Sequence, residues 1–185
     1  GYTLLLGNNP QFFREVVDQP WGTVWDGTHG GGQQAWAESI NRQMDQAGIT
    51  GELDRDRWMR GQALAQIAAD PRSFVRACWL RVRRFWGLMP IEGASDQAAW
   101  VRYGTGAFYT LTFLGAIAGV IHLVRQWSAR WIPSLLMIAG FMSVHLFYWT
   151  NIRMRAPLVP ILAVLAALGW CRLLRVRGAG PSPGE

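Results

Sequence analysis

The sequence contains no lysine, and all of its eighteen basic residues are arginine. Acidic residues are scarce in the second half, where eight Arg stand against a single acid, Glu185, whereas residues 1–99 carry ten Arg and eleven acids. The Arg residues of the second half flank apolar runs and do not form one continuous basic face. This imbalance indicates a membrane protein and predicts no nucleic-acid partner.

Cysteine and metal-binding patterns are also sparse. Cys78 precedes the first apolar run and Cys171 ends the last, so the predicted topology places them on opposite faces of a bilayer, where they cannot pair. His122 and His145 lie inside apolar runs and lack another ligand three or four residues away. The sequence therefore predicts neither a metal site nor a cofactor, and an interhelical hydrogen bond is the expected role of each histidine.

The first residue is Gly1, and no charged-then-apolar signal segment opens the chain, so we expect a piece of a longer protein. Residues 1–10 begin with an apolar, strand-like run and end in a turn-forming cluster. Residues 21–32 contain five glycines but lack the spacing of a phosphate-binding loop. They are predicted to form a surface loop.

Helical patterns fill most of residues 33–99. Residues 33–47 and 52–69 are predicted helices, and Asp70 followed by Pro71 predicts a capped start for the next one. That helix, 71–88, is basic and amphipathic and carries several large aromatic side chains, which is typical of a helix lying in the headgroup layer. The predicted apolar face is formed by Phe74, Cys78, Val82 and Phe85, with Val75, Trp79 and Trp86 beside it. Arg72, Arg76, Arg83 and Arg84 gather toward the other face. An ordinary helix packed on its own domain is the alternative.

Three apolar runs follow and predict a transmembrane region at residues 100–177. The predicted spans cover residues 103–124, 131–150 and 156–174, and each is long enough, or nearly so, to cross about 30 Å of hydrocarbon. Residues 178–185 are predicted to be a disordered tail. Tryptophans lie at the ends of these runs, as in an interfacial belt: Trp100, Trp127, Trp131, Trp149 and Trp170. The predicted fold class is therefore an all-α membrane protein, with a helical extracytoplasmic segment at 1–99 followed by three transmembrane helices.

Arginine counts predict the orientation of the spans. The connector between the first and second predicted spans lies on the same side of the membrane as the C-terminal tail. That side has five Arg: Arg125, Arg130, Arg172, Arg175 and Arg177. The opposite side has three, Arg102, Arg153 and Arg155, together with residues 1–99. The positive-inside rule then places the tail in the cytoplasm and the N-terminal half outside. The lipid bilayer is the first predicted partner.

Arg153 and Arg155 form an Arg pair at the predicted outer interface, where the rule expects few positive charges. With no carboxylate nearby in sequence, such a pair favours an anion, and a lipid phosphate or diphosphate suits the planar guanidinium group. A pair that only touches ordinary headgroups explains the pattern equally well.

Several short motifs together resemble one family. They are the opening GYTLLLGNNP, the stretch from Glu52 through Asp70-Pro71-Arg72-Ser73-Phe74, the run Arg84-Phe85-Trp86, and NIRMRAPLVPILAVLAA. They resemble the C-terminal part of the polytopic GT-C type glycosyltransferases that use polyprenyl-phosphate sugars, the relatives of protein mannosyltransferases and aminoarabinose transferases. The most specific of them is the Arg-x-Arg-x-x-Pro-x-x-Pro run from Arg153 to Pro160.

The resemblance implies a sugar transfer from a polyprenyl-phosphate donor to an extracytoplasmic acceptor, at the bacterial inner (plasma) membrane. It implies that Arg153 and Arg155 lie near the donor phosphate and that the upstream transmembrane helices of a parent chain are partners. The family's catalytic carboxylate belongs to an early external loop that nothing here matches, so we expect no catalytic residue in this chain and no activity from it alone. The alternative is a non-enzymatic membrane protein, such as a transporter fragment or a membrane-anchored assembly partner.

Overall fold

The computed structural model describes residues 1–91, 98–126 and 129–178. The described residues form helices and connecting segments, and no strand occurs among them, which confirms the all-α fold class. Two predicted features, Trp127 of the interfacial belt and the tail from residue 179 onward, lie outside the described residues.

The described chain divides into two compact units, Gly1–Trp86 with Met142–Asn151, and Gly87–Phe141 with the residues from Ile152 onward. The predicted division after residue 99 concerns the side of the membrane, which compactness does not test.

A π-helical turn, Phe13–Val17, follows α2, and 3-10 turns precede α7 and α8 at Ala129–Trp131 and Ile152–Leu158. The helices are α1 (Tyr2–Gly7), α2 (Pro10–Phe12), α3 (Gly32–Gln46), α4 (Glu52–Ala69), α5 (Pro71–Phe85), α6 (Ala99–Arg125), α7 (Ile132–Phe147) and α8 (Val159–Gly178).

The boundary between α4 and α5 lies where the sequence predicts it. The Asp70 carboxylate accepts a hydrogen bond from the Ser73 amide at 3.0 Å, and Pro71 occupies the first helical turn. A proline costs little there because its missing N–H would have no intrahelical partner. The bond from Ser73 also lowers the pKa of Asp70, because it favours the charged carboxylate.

Aromatic side chains form the centre of the first unit. The ring of Phe12 lies 5.5 Å from that of Trp25 and 5.4 Å from that of Trp149, and Trp25 lies 5.6 Å from Trp36. Such edge and tilted contacts add to the stabilisation from apolar burial. Trp149 thus packs on the core of the first unit.

The strand-like run at the start of the chain is helical, so that prediction is wrong. α1 ends at Gly7, and Asn9 then joins it to α2. The Asn9 side chain donates to the carbonyls of Leu5 and Leu6 and accepts from the Phe12 amide at 2.8 Å. One amide side chain therefore terminates one helix and caps the next.

The C-terminal end of α7 is held by polar side chains of the first unit. Arg81 donates to the Leu146 carbonyl at 2.5 Å, and Asn8 donates to the Phe147 carbonyl at 2.8 Å. The last carbonyls of a helix lack intrahelical partners, and a cation there also suits the negative end of the helix dipole. The Thr150 hydroxyl adds a bond to the His145 carbonyl at 3.0 Å. These contacts explain why α7 stops at Phe147, three residues before the predicted end of the second span.

Glycines bring α6 and α8 into close contact within the second unit. A methyl group on Gly119 would overlap the backbone carbonyl of Leu165, and one on Gly169 would overlap the carbonyl of Gly115. The indole N–H of Trp170 donates to the Leu111 carbonyl at 3.2 Å across the same helix pair. Small residues at such crossings let backbones approach closely, which is how helices associate in lipid.

Two helical stretches are long and apolar enough to cross a membrane, Ala99–Arg125 and Ile152–Leu174. Only 22% and 28% of their most apolar windows are buried, so neither resembles the enclosed core helix of a soluble domain. α7 is apolar but has 16 residues, about 24 Å of helix, which is short of the hydrocarbon thickness. By length, two of the three predicted spans are therefore supported. The outward side chains of α6 include Tyr103, Phe108, Leu111, Leu114, Ile117, Ile121 and Val124.

Candidate functional site

Arg155, in the 3-10 turn that leads into α8, is fully buried within the second unit. Its Nη1 donates to the Gly87 carbonyl at 2.6 Å. The guanidinium carbon lies 3.8 Å from the centroid of the Tyr109 ring and 5.2 Å from that of Phe113, both on α6. Aromatic faces attract a cation, and the attraction grows when water is excluded. The two rings and the carbonyl therefore hold the Arg155 side chain in one position.

Arg153 lies in the same 3-10 turn, but its side chain is exposed. A 3-10 helix has three residues per turn, so residues two apart point about 120° away from each other. The turn thus sends one guanidinium group into the unit and the other to the surface. Predicting the two Arg as a pair did not anticipate this difference in surroundings.

The turn itself is shaped by its prolines. Pro157 lies inside the 3-10 segment, and Pro160 lies in the first turn of α8. Proline lacks an N–H and is tolerated only near the start of a helix. The prolines therefore favour a change from 3-10 to α-helix just after Arg155, which places Arg153 before the regular helix begins.

A second buried guanidinium group, that of Arg81 in the first unit, was not singled out by the sequence pattern. Arg81 is 2% exposed and donates to the carbonyls of Gly7 and Leu146 and to the Asn8 side chain. Burial lowers its pKa to about 10, so it remains charged at neutral pH. The sequence did contain a signal for this burial, because Arg81 lies among Cys78, Val82 and Phe85 on the apolar face of α5.

Arg84, which the sequence places with Arg72, Arg76 and Arg83 away from the apolar face, is also buried. It is 7% exposed and donates to the Thr23 carbonyl at 2.7 Å. Its guanidinium carbon lies 5.9 Å from the Trp149 ring centroid. α5 therefore directs Arg81 and Arg84 into the first unit together with Phe85, while Arg72, Arg76 and Arg83 stay exposed.

The buried carboxylate of Glu15 holds the glycine-rich loop, residues 21–32, by hydrogen bonds. Glu15 is 3% exposed and accepts hydrogen bonds from the Trp25 indole at 2.8 Å and the Gly32 amide at 3.0 Å. Burial acts to raise the pKa of Glu15, but the bonds from Trp25, Gly32 and Gln11 outweigh it, and the net pKa is lowered. Because the Glu15 carboxylate accepts the indole N–H of Trp25 and the amide of Gly32 at the start of α3, it holds the two ends of the loop in place.

Asp26, in the same loop, makes its hydrogen bonds within its own turn. The Asp26 carboxylate accepts from the Thr28 hydroxyl at 2.6 Å and from the Thr28 amide at 2.9 Å. These bonds lower the pKa of Asp26. Asp26 therefore closes a local turn on Thr28.

Among residues 1–91, 98–126 and 129–178, no group of three or more His, Cys, Asp or Glu side chains is arranged to hold a metal ion. His145 packs its ring 5.2 Å from that of Phe85 in the first unit, and His122 lies on α6. No family model, curated protein or solved structure matches the chain.

Proposed function

We propose that the chain is the C-terminal portion of a membrane glycosyltransferase that moves a sugar from a polyprenyl-phosphate donor to an extracytoplasmic acceptor. In this proposal the catalytic carboxylate lies upstream, in the parent chain. Arg153 binds the donor phosphate, and Arg155 holds the turn and adds positive charge beside it. The support is the resemblance of the Arg153 to Pro160 run, together with the surroundings of the two guanidinium groups.

The observation that carries the proposal is the position of Arg153. Its exposed side chain belongs to the first turn of an apolar stretch, Ile152–Leu174, that is long enough to span a membrane. A guanidinium group at that depth meets the phosphate layer, where it can make two parallel hydrogen bonds to one phosphate. Phosphate is the leaving group of the proposed transfer, so the same contact would stabilise the charge that develops on it.

Topology completes the proposal. The chain would cross the bacterial inner membrane three times, with the first unit and the Arg153 turn outside and the tail in the cytoplasm. α7 is shorter than the hydrocarbon layer, so the bilayer and the residues that flank α7 would have to adapt for it to cross. Local thinning of the bilayer and flanking side chains accommodate short spans at modest cost.

Replacing Arg153 by glutamine in the full-length parent enzyme is expected to lower sugar transfer by about 10²- to 10³-fold, the typical cost of losing one donor to a developing oxyanion. Arg155→Gln should also reduce transfer, because it removes the anchor on Gly87 and Tyr109. Transfer would be measured with a purified polyprenyl-phosphate sugar in proteoliposomes, after confirming equal membrane insertion of each variant.

Arg102→Gln is the matched control, because Arg102 is exposed on the same predicted side and lies in the first turn of α6. It should retain normal transfer. If Arg153→Gln and Arg155→Gln also turn over normally, the phosphate role is excluded. A parent chain without further spans and without an acidic pair in its first external loop would favour the non-enzymatic alternative.

A further inference from the structure

The exposed side of α5 carries an unusual mixture of side chains. Arg72, Val75, Arg76, Trp79 and Arg83 are all exposed, and we call this set the Arg–Trp face. At 100° per residue these five positions fall within a stripe about 100° wide. Val75 and Trp79 are each 64% exposed, although they lie between charged neighbours.

The apolar face predicted to enter lipid is not the one that α5 presents. Ala77, Arg81 and Phe85 on the opposite side are buried in the described structure of the chain. The helix ends at Phe85, three residues before the predicted end. Deep insertion through the Phe74, Cys78 and Phe85 side is therefore excluded unless the first unit opens, and the Arg–Trp face is the side left for an external partner.

Neighbouring residues extend the same chemistry. The guanidinium carbon of Arg83 lies 4.1 Å from the centroid of the Trp21 ring, and Trp21 is 46% exposed. Arg76 forms an ion pair with Asp18 at 2.8 Å, which leaves a net positive charge on the face. Exposed indoles set among guanidinium groups are typical of surfaces that rest at the headgroup level of a bilayer.

Chain continuity limits how far this face lies from lipid. The apolar helix α7 runs directly into the first unit, to which Met142–Asn151 belong. α5 ends at Phe85, and α6, which is long enough to span a membrane, begins at Ala99. The connection from Phe85 to Ala99 reaches at most about 50 Å when fully extended. The first unit therefore stays beside any bilayer that contains α6.

We infer that the Arg–Trp face docks the first unit onto the headgroup layer of an anionic bilayer, with Arg72, Arg76 and Arg83 on lipid phosphates and Trp79 and Val75 among the headgroups. The contact is shallow, because the deeper apolar side of α5 is occupied by its own unit. It is therefore electrostatic in origin and weakens in high salt. The inference rests on membrane insertion of α6 and is independent of the proposed sugar transfer.

The test places an environment-sensitive fluorophore on the face of the full chain in proteoliposomes. Val75→Cys is labelled in a background carrying Cys78→Ser, which keeps a donor for the Leu146 carbonyl, and Cys171→Ala. Vesicles contain phosphatidylcholine alone or mixed with phosphatidylglycerol, and lipids bearing a nitroxide quencher report contact. A label at Leu53→Cys on α4, a site 72% exposed, is the control position.

The label at position 75 is expected to shift to the blue and to be quenched by nitroxide lipid in phosphatidylglycerol vesicles, and to lose both effects in high salt. Each Arg near an anionic surface contributes about 1 kcal/mol, or about fivefold in the docking equilibrium. Replacing Arg72, Arg76 and Arg83 by glutamine should thus reduce docking more than tenfold. Replacing Arg42, Arg57 and Arg60 by glutamine removes the same amount of charge from α3 and α4 and should leave docking intact. The label at position 53 should stay in water.

Three results would overturn the inference. One is a label at position 75 that remains in water although flotation shows the protein inserted in phosphatidylglycerol vesicles. The second is undiminished quenching of the label at position 75 when Arg72, Arg76 and Arg83 are replaced, or when the vesicles contain phosphatidylcholine alone. Either would mean that the face does not recognise headgroup charge. Protection of the label only when native membrane proteins are added would assign the face to an acidic protein instead.

Discussion

Replacing Gly119 by leucine is expected to separate α6 from α8 and to lower sharply the thermal unfolding midpoint of the protein in detergent. Even one methyl group at Gly119 would lie within 3.0 Å of the Leu165 carbonyl carbon. Backbone cannot move aside as a flexible side chain does, so the helices must part. Gly119→Ala should already cost about 1–3 kcal/mol, the usual range for overpacking, and leucine should cost more.

Gly104 provides the control within the same helix. A Cβ atom added there meets nothing within 4 Å, so Gly104→Leu should leave the unfolding midpoint unchanged or raise it slightly through helix propensity. Unfolding would be followed by circular dichroism at rising temperature. Equal midpoints for the leucine variants at positions 104 and 119 would show that the α6 and α8 contact is not what holds the second unit together.

Replacing Arg81 by methionine is expected to destabilise the first unit by about 3–5 kcal/mol. The substitution keeps much of the side-chain volume but removes the donors to the carbonyls of Gly7 and Leu146 and to the Asn8 side chain. Each buried acceptor left without a donor costs about 1–3 kcal/mol. The C-terminal end of α7 should fray first, which amide hydrogen exchange of residues 142–151 would detect.

Two further variants distinguish the hydrogen bonds of the Arg81 guanidinium group from the effect of its charge. Arg81→Lys keeps the charge but loses the planar fork, so it should recover only part of the stability. Arg42→Met removes an exposed Arg from α3 and should change stability by less than about 0.5 kcal/mol. Wild-type exchange rates at residues 142–151 in Arg81→Met would contradict the role we assign to this guanidinium group.

The helices of the first unit that the sequence predicts well are those with local start signals. Asp70 and Pro71 mark the start of α5, and the observed α3 and α4 match the predicted ranges to within one residue. Caps and proline act on the nearest turn of backbone, so their effect is readable without knowledge of the fold.

Features that depend on distant residues were not predictable. The run at Leu4 to Leu6 has the composition of a strand, yet it is helical and packs within the core of the first unit. The end of α7 depends on Asn8 and Arg81, which are far from it in sequence. Tertiary contacts of this kind override local propensity and leave no local pattern.

The candidate site shows the same limit. The Arg-x-Arg spacing identified the turn, but the separation of Arg153 and Arg155 into exposed and buried positions follows from the 3-10 geometry. The anchor of Arg155 is the Gly87 carbonyl, 68 residues away in sequence, together with the Tyr109 ring on α6. A sequence pattern predicts that two cations are close along the chain, whereas their surroundings depend on which elements the fold places beside them.

The position of the Arg153 turn at the outer surface of the membrane is the claim on which the proposed function depends most. Met154, 40% exposed in that turn, can be replaced by cysteine in a chain carrying Cys78→Ser and Cys171→Ala. Gln126→Cys, just after α6, reports the opposite side. In intact cells a membrane-impermeant maleimide should label position 154 at once and position 126 only after the membrane is permeabilised. Labelling of position 126 from outside, with position 154 protected until permeabilisation, would contradict the account.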